Sequence, residues 1–242
     1  MRLDKWLVDN GRFESREKAQ LAIREGNVLL NGSVASKPSF TVGEADLVTV
    51  LGPGLRYVSR GGLKLEKAIR AFQLDFSGKV VLDIGASTGG FTDCALQYGA
   101  RRVFAVDVGR DQLHKSLLNN DKVVNIEGLH LRELTLQLME NTPADFIVID
   151  VSFISLEYVF PFLGPFLQPG GRIVALIKPQ FEMKGRRRFK NGIIKDEKVR
   201  GEALEMVKGY ASASGYTLLN FVPTFEDRQE KNVEYLGLFV AE

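Results

Sequence analysis

The spacing of apolar residues changes near residue 52 and divides the chain into two regions. Before that position, two short stretches carry apolar residues at helical spacing, and short apolar runs follow them. After it, β-branched apolar runs alternate with amphipathic helix patterns, which is typical of a doubly wound parallel sheet. We therefore predict a small α+β domain over residues 1–52, a linker over 53–62 and an α/β domain over 63–242.

The N-terminal region is predicted to form two helices followed by three short strands. Ser15 is a good N-cap for the second helix, Arg16–Glu25, because its side chain can accept a hydrogen bond from the first turn. The pair Asn31–Gly32 is typical of a hairpin turn and lies inside the apolar run Val28–Val34. Leu47–Val50 is predicted to be the third strand.

The C-terminal region is predicted to hold seven strands, the last two of them an antiparallel pair, with helices between them. The predicted strands are Val80–Ile84, Arg102–Val106, Val123–Ile126, Phe146–Ile149, Arg172–Leu176, Gly215–Pro223 and Val233–Val240. The predicted helices are Leu63–Phe72, Phe91–Tyr98, Asp111–Asn119 and Lys198–Ser212. Because ligands of open α/β sheets bind beyond the carboxyl ends of the strands, the chemistry is expected there.

Composition and charge exclude several classes of protein. The formal net charge is only +2, so affinity for nucleic acid has to come from local patches. The single cysteine, Cys94, excludes an internal disulfide and falls in a core-facing helix pattern. The chain opens on a charged amphipathic pattern, and no stretch reaches the about 20 apolar residues of a membrane span. These features predict a cytoplasmic protein without a membrane segment.

A glycine-rich turn follows the first predicted strand of the C-terminal region. Its glycines stand at positions 85, 89 and 90, which is not the G-x-G-x-x-G spacing of a dinucleotide dehydrogenase. A strand, a tight glycine turn and a helix bring backbone N–H groups close to a bound nucleotide. The spacing Asp83-x-Gly85-x-x-x-Gly89 resembles the first motif of S-adenosylmethionine (SAM) methyltransferases. The alternative is an ordinary turn that binds nothing.

Charged residues stand where four of the predicted strands end, at Asp83, Asp107, Asp150 and Lys178. Asp107 lies about 20 residues after the glycine turn begins, where an acidic residue commonly binds ribose hydroxyls. Asp83 is expected either to cap the turn or to serve the ligand. Asp150 and Lys178 could pair as a structural ion bridge, but burying such a pair costs several kcal/mol per ion, which favours a functional role.

Four motifs follow one another along the chain: Ser59-Arg-Gly-Gly-Leu-Lys64, Asp150-Val-Ser-Phe-Ile-Ser-Leu156, Lys178-Pro-Gln-Phe-Glu182 and Asn232-Val-Glu-Tyr235. In this order they resemble the TlyA family, whose members are often labelled hemolysins and are similar to FtsJ-type ribose 2′-O-methyltransferases of ribosomal RNA. The resemblance spans essentially the whole chain. It implies an α/β, Rossmann-like SAM-dependent methyltransferase sheet and a catalytic tetrad at Lys64, Asp150, Lys178 and Glu234.

The tetrad suits transfer of a methyl group to a ribose hydroxyl. Such a hydroxyl is a weak nucleophile, so it needs removal of its proton and in-line positioning. A lysine acts as a base only when it is neutral, and a second ammonium nearby favours the neutral form. We hypothesise that Lys178 is the base or orients the hydroxyl, that Asp150 and Glu234 hold it, and that Lys64 adjusts the local field.

The same resemblance implies SAM as the cofactor, bound at the ends of the first three strands. After the third strand, Asn125, Glu127 and His130 are all candidates for the adenine side, because many relatives carry Asn where His130 stands. No metal is predicted, since His114 and His130 lack candidate partner ligands. The expected SAM-binding residues are Asp83, Gly85, Ala86, Ser87, Thr88, Gly89, Gly90, Phe91, Thr92, Asp107, Val108 and Glu127.

The first fifty residues contain the stretches Arg2-Leu-Asp-Lys-Trp-Leu7, Ser15-Arg-Glu-Lys-Ala-Gln20, Gly26-Asn-Val-Leu-Leu-Asn-Gly32 and Lys37-Pro38. Together these resemble the alpha-L RNA-binding domain named after ribosomal small-subunit protein four. It implies that several basic side chains bind RNA phosphates, namely Arg2, Lys5, Arg16, Lys18 and Arg24. The alternative is that these are solvated helix charges, balanced by Asp4, Glu14 and Glu17.

A basic segment, Lys184–Arg200, follows the Lys178 strand end and carries eight Lys or Arg residues against two acidic ones. It is expected either to clamp the RNA backbone or to be a solvated mobile loop. The candidate RNA contacts here are Arg186, Arg187 and Arg188, and the linker adds Arg56 and Arg60.

The sequence therefore predicts a SAM-dependent methyltransferase that modifies ribosomal RNA, alone or within ribosomal subunits. The alternatives are an RNA-binding assembly factor without methyl transfer, a membrane-active hemolysin, and a small-molecule methyltransferase. The appended RNA-binding domain disfavours the last of these. The sequence pattern does not specify an oligomeric state.

Overall fold

The computed structural model divides the chain into two compact units, Met1–Arg60 and Gly61–Glu242. It describes residues 1–13, 15–24, 27–31, 33–35, 37–43, 45–50, 57–185, 187, 189–224 and 232–241, with the backbone alone at 24, 33, 34 and 190. Gly26, the turn residue Gly32 and residues 53–56 of the predicted linker lie outside these residues.

The described residues of the N-terminal unit form two helices and a three-stranded antiparallel sheet with the strand order β2-β1-β3. The apolar residues of both helices and of β1 form its core, which includes Leu3, Leu7 and Ile23. Ser15 caps α2 as predicted, since its hydroxyl accepts a hydrogen bond from the Lys18 N–H at 3.3 Å. The elements are α1 Leu3–Asp9, α2 Arg16–Arg24, β1 Val28–Leu30, β2 Ser33–Val34 and β3 Val48–Val50.

The C-terminal unit is an α/β domain built on a seven-stranded sheet, which confirms the predicted fold class. Its strands are β4 Val80–Ile84, β5 Arg102–Asp107, β6 Val123–Glu127, β7 Ala144–Ile149, β8 Leu167–Ile177, β9 Tyr216–Pro223 and β10 Tyr235–Ala241. Its helices are α3 Gly61–Ala71, α4 Gly90–Gln97, α5 Lys115–Leu118, α6 Pro179–Glu182 and α7 Glu197–Ala213.

The strand order β6-β5-β4-β7-β8-β10-β9 determines where a ligand can bind. Strands β4 to β8 are parallel, whereas β10 runs antiparallel to both β8 and β9, as the sequence predicted for the last two strands. From β4 the chain builds outward through β5 and β6, and then returns to the other side of β4 for β7. The crevice at the carboxyl ends of β4 and β7 is therefore the topological switch point of the sheet.

The central strands are buried on both faces, as their continuous apolar runs require. All five residues of β4 are buried, and Cys94 of α4 lies in the core as predicted. One core cluster joins Phe104 of β5, Phe160 after β7, Val207 of α7 and Phe239 of β10. This packing fixes the strand ends relative to one another.

One predicted helix is wrong over half of its length. The sequence pattern predicted a helix at Asp111–Asn119, but the structure forms only the four-residue α5. The backbone N–H groups of Asp111, Gln112 and Leu113 donate to the Glu127 carboxylate, so this stretch between β5 and β6 is a loop held at the end of β6. A long-range side chain satisfies donors that a helix start would leave open.

Candidate active site

The glycine turn after β4 packs directly against the end of β7. The backbone N–H groups of Gly85 and Ala86 both donate to the Val106 carbonyl of β5. Gly85 has a φ of +82°, and a Cβ at this position would lie 2.7 Å from the Asp150 carbonyl oxygen. Both the left-handed backbone and the close approach therefore require glycine at position 85.

Asp83 is a fully buried carboxyl group beneath this turn. The Thr92 hydroxyl donates to its Oδ2 at 2.6 Å, whereas Oδ1 is buried and has no hydrogen-bond partner in the described part of the chain. Burial raises the pKa of Asp83 to about 7, against the lowering effect of Thr92 and with a smaller raising effect of Asp150. Asp83 thus serves the first turn of α4 and retains one unsatisfied acceptor.

Asp107 and Glu127, at the ends of β5 and β6, both accept hydrogen bonds from loop backbone. Asp107 takes the N–H groups of Ser87 and Gly109 at 2.8 and 2.7 Å. Glu127 takes the three N–H groups that replace the predicted helix, and Asn125 also donates to it. Burial works to raise the pKa of Glu127, but these donors outweigh it and hold the pKa below its usual range. Ligand contacts by both carboxylates remain predictions.

Lys178 and Asp150 form an ion pair at the carboxyl ends of β8 and β7. The distance from Lys178 Nζ to Asp150 Oδ1 is 2.6 Å, and only 7% of the lysine side chain is exposed. Nζ also donates to the Val151 carbonyl and to Ser152 Oγ, both at 2.8 Å. Three acceptors therefore match the three N–H donors of the ammonium group.

Lys64 and Glu234 form a second lysine–carboxylate pair. Lys64 Nζ lies 2.7 Å from Glu234 Oε2, and about one fifth of each side chain is exposed. The hypothesis placed Glu234 beside Asp150 as a second group holding Lys178. Within the described part of the chain, the ion pair of Glu234 is instead with Lys64. Glu234 directly precedes β10, so its side chain is free to turn toward α3.

The register of β10 on β8 brings the two pairs to one edge of the sheet. Tyr235 pairs with Ile177. Extending the ladder by one residue places Glu234 opposite Lys178, and Asp150 is held beside the glycine turn by a hydrogen bond of its N–H to the Ile84 carbonyl. All four predicted tetrad residues are therefore gathered around the ends of β7, β8 and β10.

Three residues that the sequence reasoning missed lie beside this edge. Ser152 contacts Lys178, and Phe153 is 77% exposed with a φ of +68°, which is unusual for an aromatic residue. Glu182 is buried and bonded to Ser155 and Leu156. All three belong to the recognised motifs, so the motifs contained the signal, but no periodicity separates these positions from their neighbours.

The predicted RNA contacts of the N-terminal unit are partly engaged within the protein. Asp4 is fully buried and accepts from Arg2, Arg16 and Gln20, and the Arg2 guanidinium holds the pKa of Asp4 below its usual range. Lys5 pairs with Asp9 at 2.9 Å. About half of the Arg2 and Arg16 side chains stays exposed, so each retains N–H groups for a phosphate.

The remaining predicted RNA contacts are more scattered. Lys18 is exposed and Arg60 is half-buried. Arg187 pairs with Glu202 of α7 at 3.2 Å and remains half exposed. The predicted residues that lie outside the described part of the chain are Arg56, Arg186, Arg188 and the side chain of Arg24.

The two histidines serve as helix caps. His114 accepts from the Ser116 N–H at the start of α5, and His130 caps a 3₁₀ turn by accepting from the Arg132 N–H. Among the described residues, no group of three or more His, Cys, Asp or Glu side chains is arranged to hold a metal ion. None of the helices in these ranges has both the length and the apolar character needed to cross a bilayer.

The fold and this site define a Rossmann-like methyltransferase joined to an RNA-binding module. Residues 57–239 match the family of FtsJ-like methyltransferases, and residues 1–48 match the S4 domain. The chain therefore belongs to the FtsJ-like methyltransferase family, which uses SAM as its methyl donor.

Known proteins resemble the chain over nearly its full length. It is 44% identical to YqxC of Bacillus subtilis (strain 168), a candidate rRNA methyltransferase, over 97% of this chain and 84% of that protein. It is 37% identical to the 16S/23S rRNA (cytidine-2′-O)-methyltransferase TlyA of Mycobacterium tuberculosis (strain ATCC 25618 / H37Rv), over 97% of this chain and 87% of that protein. A solved structure from Streptococcus thermophilus, described as a candidate hemolysin, is 39% identical with a TM-score of 0.77. The match covers 100% of this chain and 88% of that one. The resemblance to the TlyA family is confirmed, and the assembly-factor and hemolysin alternatives gain no better support.

Several features of the described residues fit SAM. Glycine at position 85 lets the turn lie against the end of β7, at the edge of the sheet where ligands of such folds bind. The unsatisfied Asp83 Oδ1 offers an acceptor to an ammonium group or an ordered water. Val108, 69% exposed next to Asp107, offers an apolar surface to an adenine ring.

Proposed function

We propose that this protein transfers the methyl group of SAM to ribose 2′-hydroxyls of ribosomal RNA. The observation that carries the proposal is the Lys178–Asp150 pair, only 2.6 Å apart, beside the Gly85 turn. The Lys64–Glu234 pair at the same sheet edge supports it. TlyA of Mycobacterium tuberculosis, by its name, acts on cytidine 2′-O positions of 16S and 23S rRNA. With such a substrate, we expect the protein in the cytoplasm with the ribosomes.

Lys178 is the residue that orients the ribose hydroxyl or receives its proton. The hydroxyl takes the place of Ser152 Oγ as the third partner of Nζ, beside Asp150 and Val151. To receive the proton, Nζ first has to release one of its own to solvent, and the transfer then restores the ammonium with its three acceptors. SAM supplies the electrophilic methyl of its sulfonium group. Lys64 and Glu234 keep the opposing charges of the site balanced.

The N-terminal unit and the basic segment bind the RNA backbone. Half-exposed arginines such as Arg2, Arg16 and Arg187 retain donors that fit phosphate oxygens. The S4 match over residues 1–48 supports RNA as the ligand of the N-terminal unit. Free rRNA and assembled subunits are both compatible with these contacts.

Transfer of labelled methyl from SAM to ribosomal subunits that lack the modification tests the proposal. Lys178→Ala should lose at least about 1,000-fold in kcat, since proton removal and positioning are both lost. The Kd for SAM should change less than about threefold, because the cofactor contacts lie at the ends of β4 to β6. A Lys178→Ala variant with nearly full activity would contradict the role of Lys178.

A further inference from the structure

Glu182 is a buried carboxylate that the tetrad does not use. It is the last residue of α6, which begins directly after Lys178, and only 4% of it is exposed. The Ser155 hydroxyl donates to Oε2, and the Leu156 N–H donates to Oε1 at 3.2 Å. A buried carboxylate with both oxygens bonded to one segment fixes that segment strongly.

The segment that Glu182 holds also holds Lys178. Residues 151–156 follow β7, and their first two members, Val151 and Ser152, accept hydrogen bonds from Lys178 Nζ. Their last two members, Ser155 and Leu156, are bonded to Glu182. The five-residue stretch Lys178–Glu182 therefore clamps both ends of the segment, and a shift at one end is transmitted to the ammonium group at the other.

The middle of the segment needs such a clamp. Phe153 has a φ of +68°, a conformation that a bulky residue rarely adopts, and its side chain is 77% exposed. Its ring contacts that of Phe181 of α6, with centroids 5.2 Å apart and tilted planes, and this contact alone leaves most of the side chain in solvent. A strained backbone persists only where the surroundings hold it, so without Glu182 the segment should relax to another conformation.

We infer that Glu182 is a positioning residue that fixes segment 151–156 and thereby holds Lys178 Nζ in line for methyl transfer. The inference rests on the proposed function for its effect on activity, but its structural part stands on the contacts alone. Glu182 itself has no contact with the reacting atoms in this account.

Two substitutions separate hydrogen bonding from charge. Glu182→Ala removes both acceptors and should lower kcat about 100-fold through misplacement of Lys178, while the Kd values for SAM and rRNA change less than about threefold. Glu182→Gln keeps an acceptor for the Leu156 N–H and a donor for Ser155 Oγ, so its kcat should stay within about fivefold of wild type. Equal losses in both variants would overturn the inference.

A matched control separates positioning from loss of stability. Asp145 is another largely buried carboxylate; it accepts from the Val80 N–H at 2.8 Å at the amino end of the sheet, away from segment 151–156. Asp145→Ala should lower the melting temperature without changing kcat of the folded fraction by more than about twofold. Ser155→Ala, which removes one of the two bonds to Glu182, should give a kcat between wild type and Glu182→Ala.

Amine labelling gives a readout that does not depend on activity. Competitive acylation of the full-length protein, read by mass spectrometry, should label Lys178 several-fold faster in Glu182→Ala than in wild type. Glu182→Gln and Asp145→Ala should label like wild type. If wild type transfers no methyl to rRNA but Lys178 labelling rises in Glu182→Ala, the proposed function fails and the positioning role stands. Unchanged Lys178 labelling in Glu182→Ala overturns the positioning role.

Discussion

Asp83 combines complete burial, hydrogen bonds from Thr92 and a raised pKa. Its pKa rises from 3.8 in water to about 7 in the folded protein, so the folded state binds the extra proton between these values. This carboxyl therefore costs the protein progressively more stability as the pH rises from about 4 to about 7. The difference between the two pKa values corresponds to about 4 kcal/mol.

This linkage gives a first prediction at the residue scale. Asp83→Asn stays neutral and keeps an acceptor for Thr92. The free energy of unfolding of the variant minus that of wild type should therefore increase as the pH rises from about 4 to about 7. Urea unfolding of both proteins across this pH range measures the difference. A difference that stays constant with pH would show that Asp83 is ionised throughout.

Gly85 gives a second prediction at the residue scale. Gly85→Ala combines a left-handed φ with a Cβ placed 2.7 Å from the Asp150 carbonyl oxygen, so it should cost several kcal/mol and weaken SAM binding. Gly78 is the matched control, because its φ is +68° but nothing lies within 4 Å of a Cβ there. Gly78→Ala should cost about 1 kcal/mol and leave the Kd for SAM unchanged. Equal losses in thermal unfolding would contradict the steric argument.

Single positions were predictable where a charge interrupts an apolar run. Asp150 and Lys178 come directly after apolar runs that are typical of buried strands. Their position at the sheet edge could therefore be predicted from the sequence. The pairing of Glu234 with Lys64 could not be predicted in this way, because the two residues are 170 positions apart in the sequence and their contact depends on where α3 packs. The acceptor roles of Asp107 and Glu127 depend on loop paths, which carry no periodic signal.

At the scale of elements, hydrophobic periodicity predicted all seven strands of the large sheet and the antiparallel pair at its edge. The failure at Asp111–Asn119 has a tertiary cause, since the Glu127 carboxylate of β6 competes for the N–H groups of the first turn. Propensity describes a segment alone, and a side chain from another strand overrides it. The one-turn helix α6, which carries Glu182, is too short for any periodicity to show.

The link between α3 and the residue preceding β10 gives a prediction at this scale. Lys64→Met and Glu234→Gln should each lower kcat/KM by about 10- to 100-fold, because each leaves its partner without a counter-charge in a half-buried site. The double variant should lose little more than either single variant, which is the pattern of two residues acting as a unit. Steady-state kinetics of the four proteins measures the coupling. Additive losses would contradict the pair as a functional unit.

At the scale of the molecule, the account requires that basic side chains outside the catalytic pairs bind RNA. Arg187 and Lys208 are both about half or more exposed, and each pairs with a glutamate of α7. Only Arg187 belongs to the basic segment near the site. Arg187→Glu should weaken rRNA binding several-fold and reduce the slope of log K against log salt by about 1. Lys208→Glu makes the same charge change and should leave the rRNA affinity within about twofold of wild type and the salt slope unchanged. Filter binding at several salt concentrations measures both quantities. Equal effects of the two substitutions would argue against a specific role of the segment.

The position of the transferred methyl group tests the central claim most directly. Ribosomal subunits lacking the modification are incubated with labelled SAM and the protein, and their rRNA is hydrolysed in alkali, a reaction that needs a free 2′-hydroxyl. The account predicts label in alkali-resistant dinucleotides, and none with Lys178→Ala. Label in ordinary mononucleotides, or no transfer despite tight SAM binding, would contradict ribose 2′-O-methylation by this site.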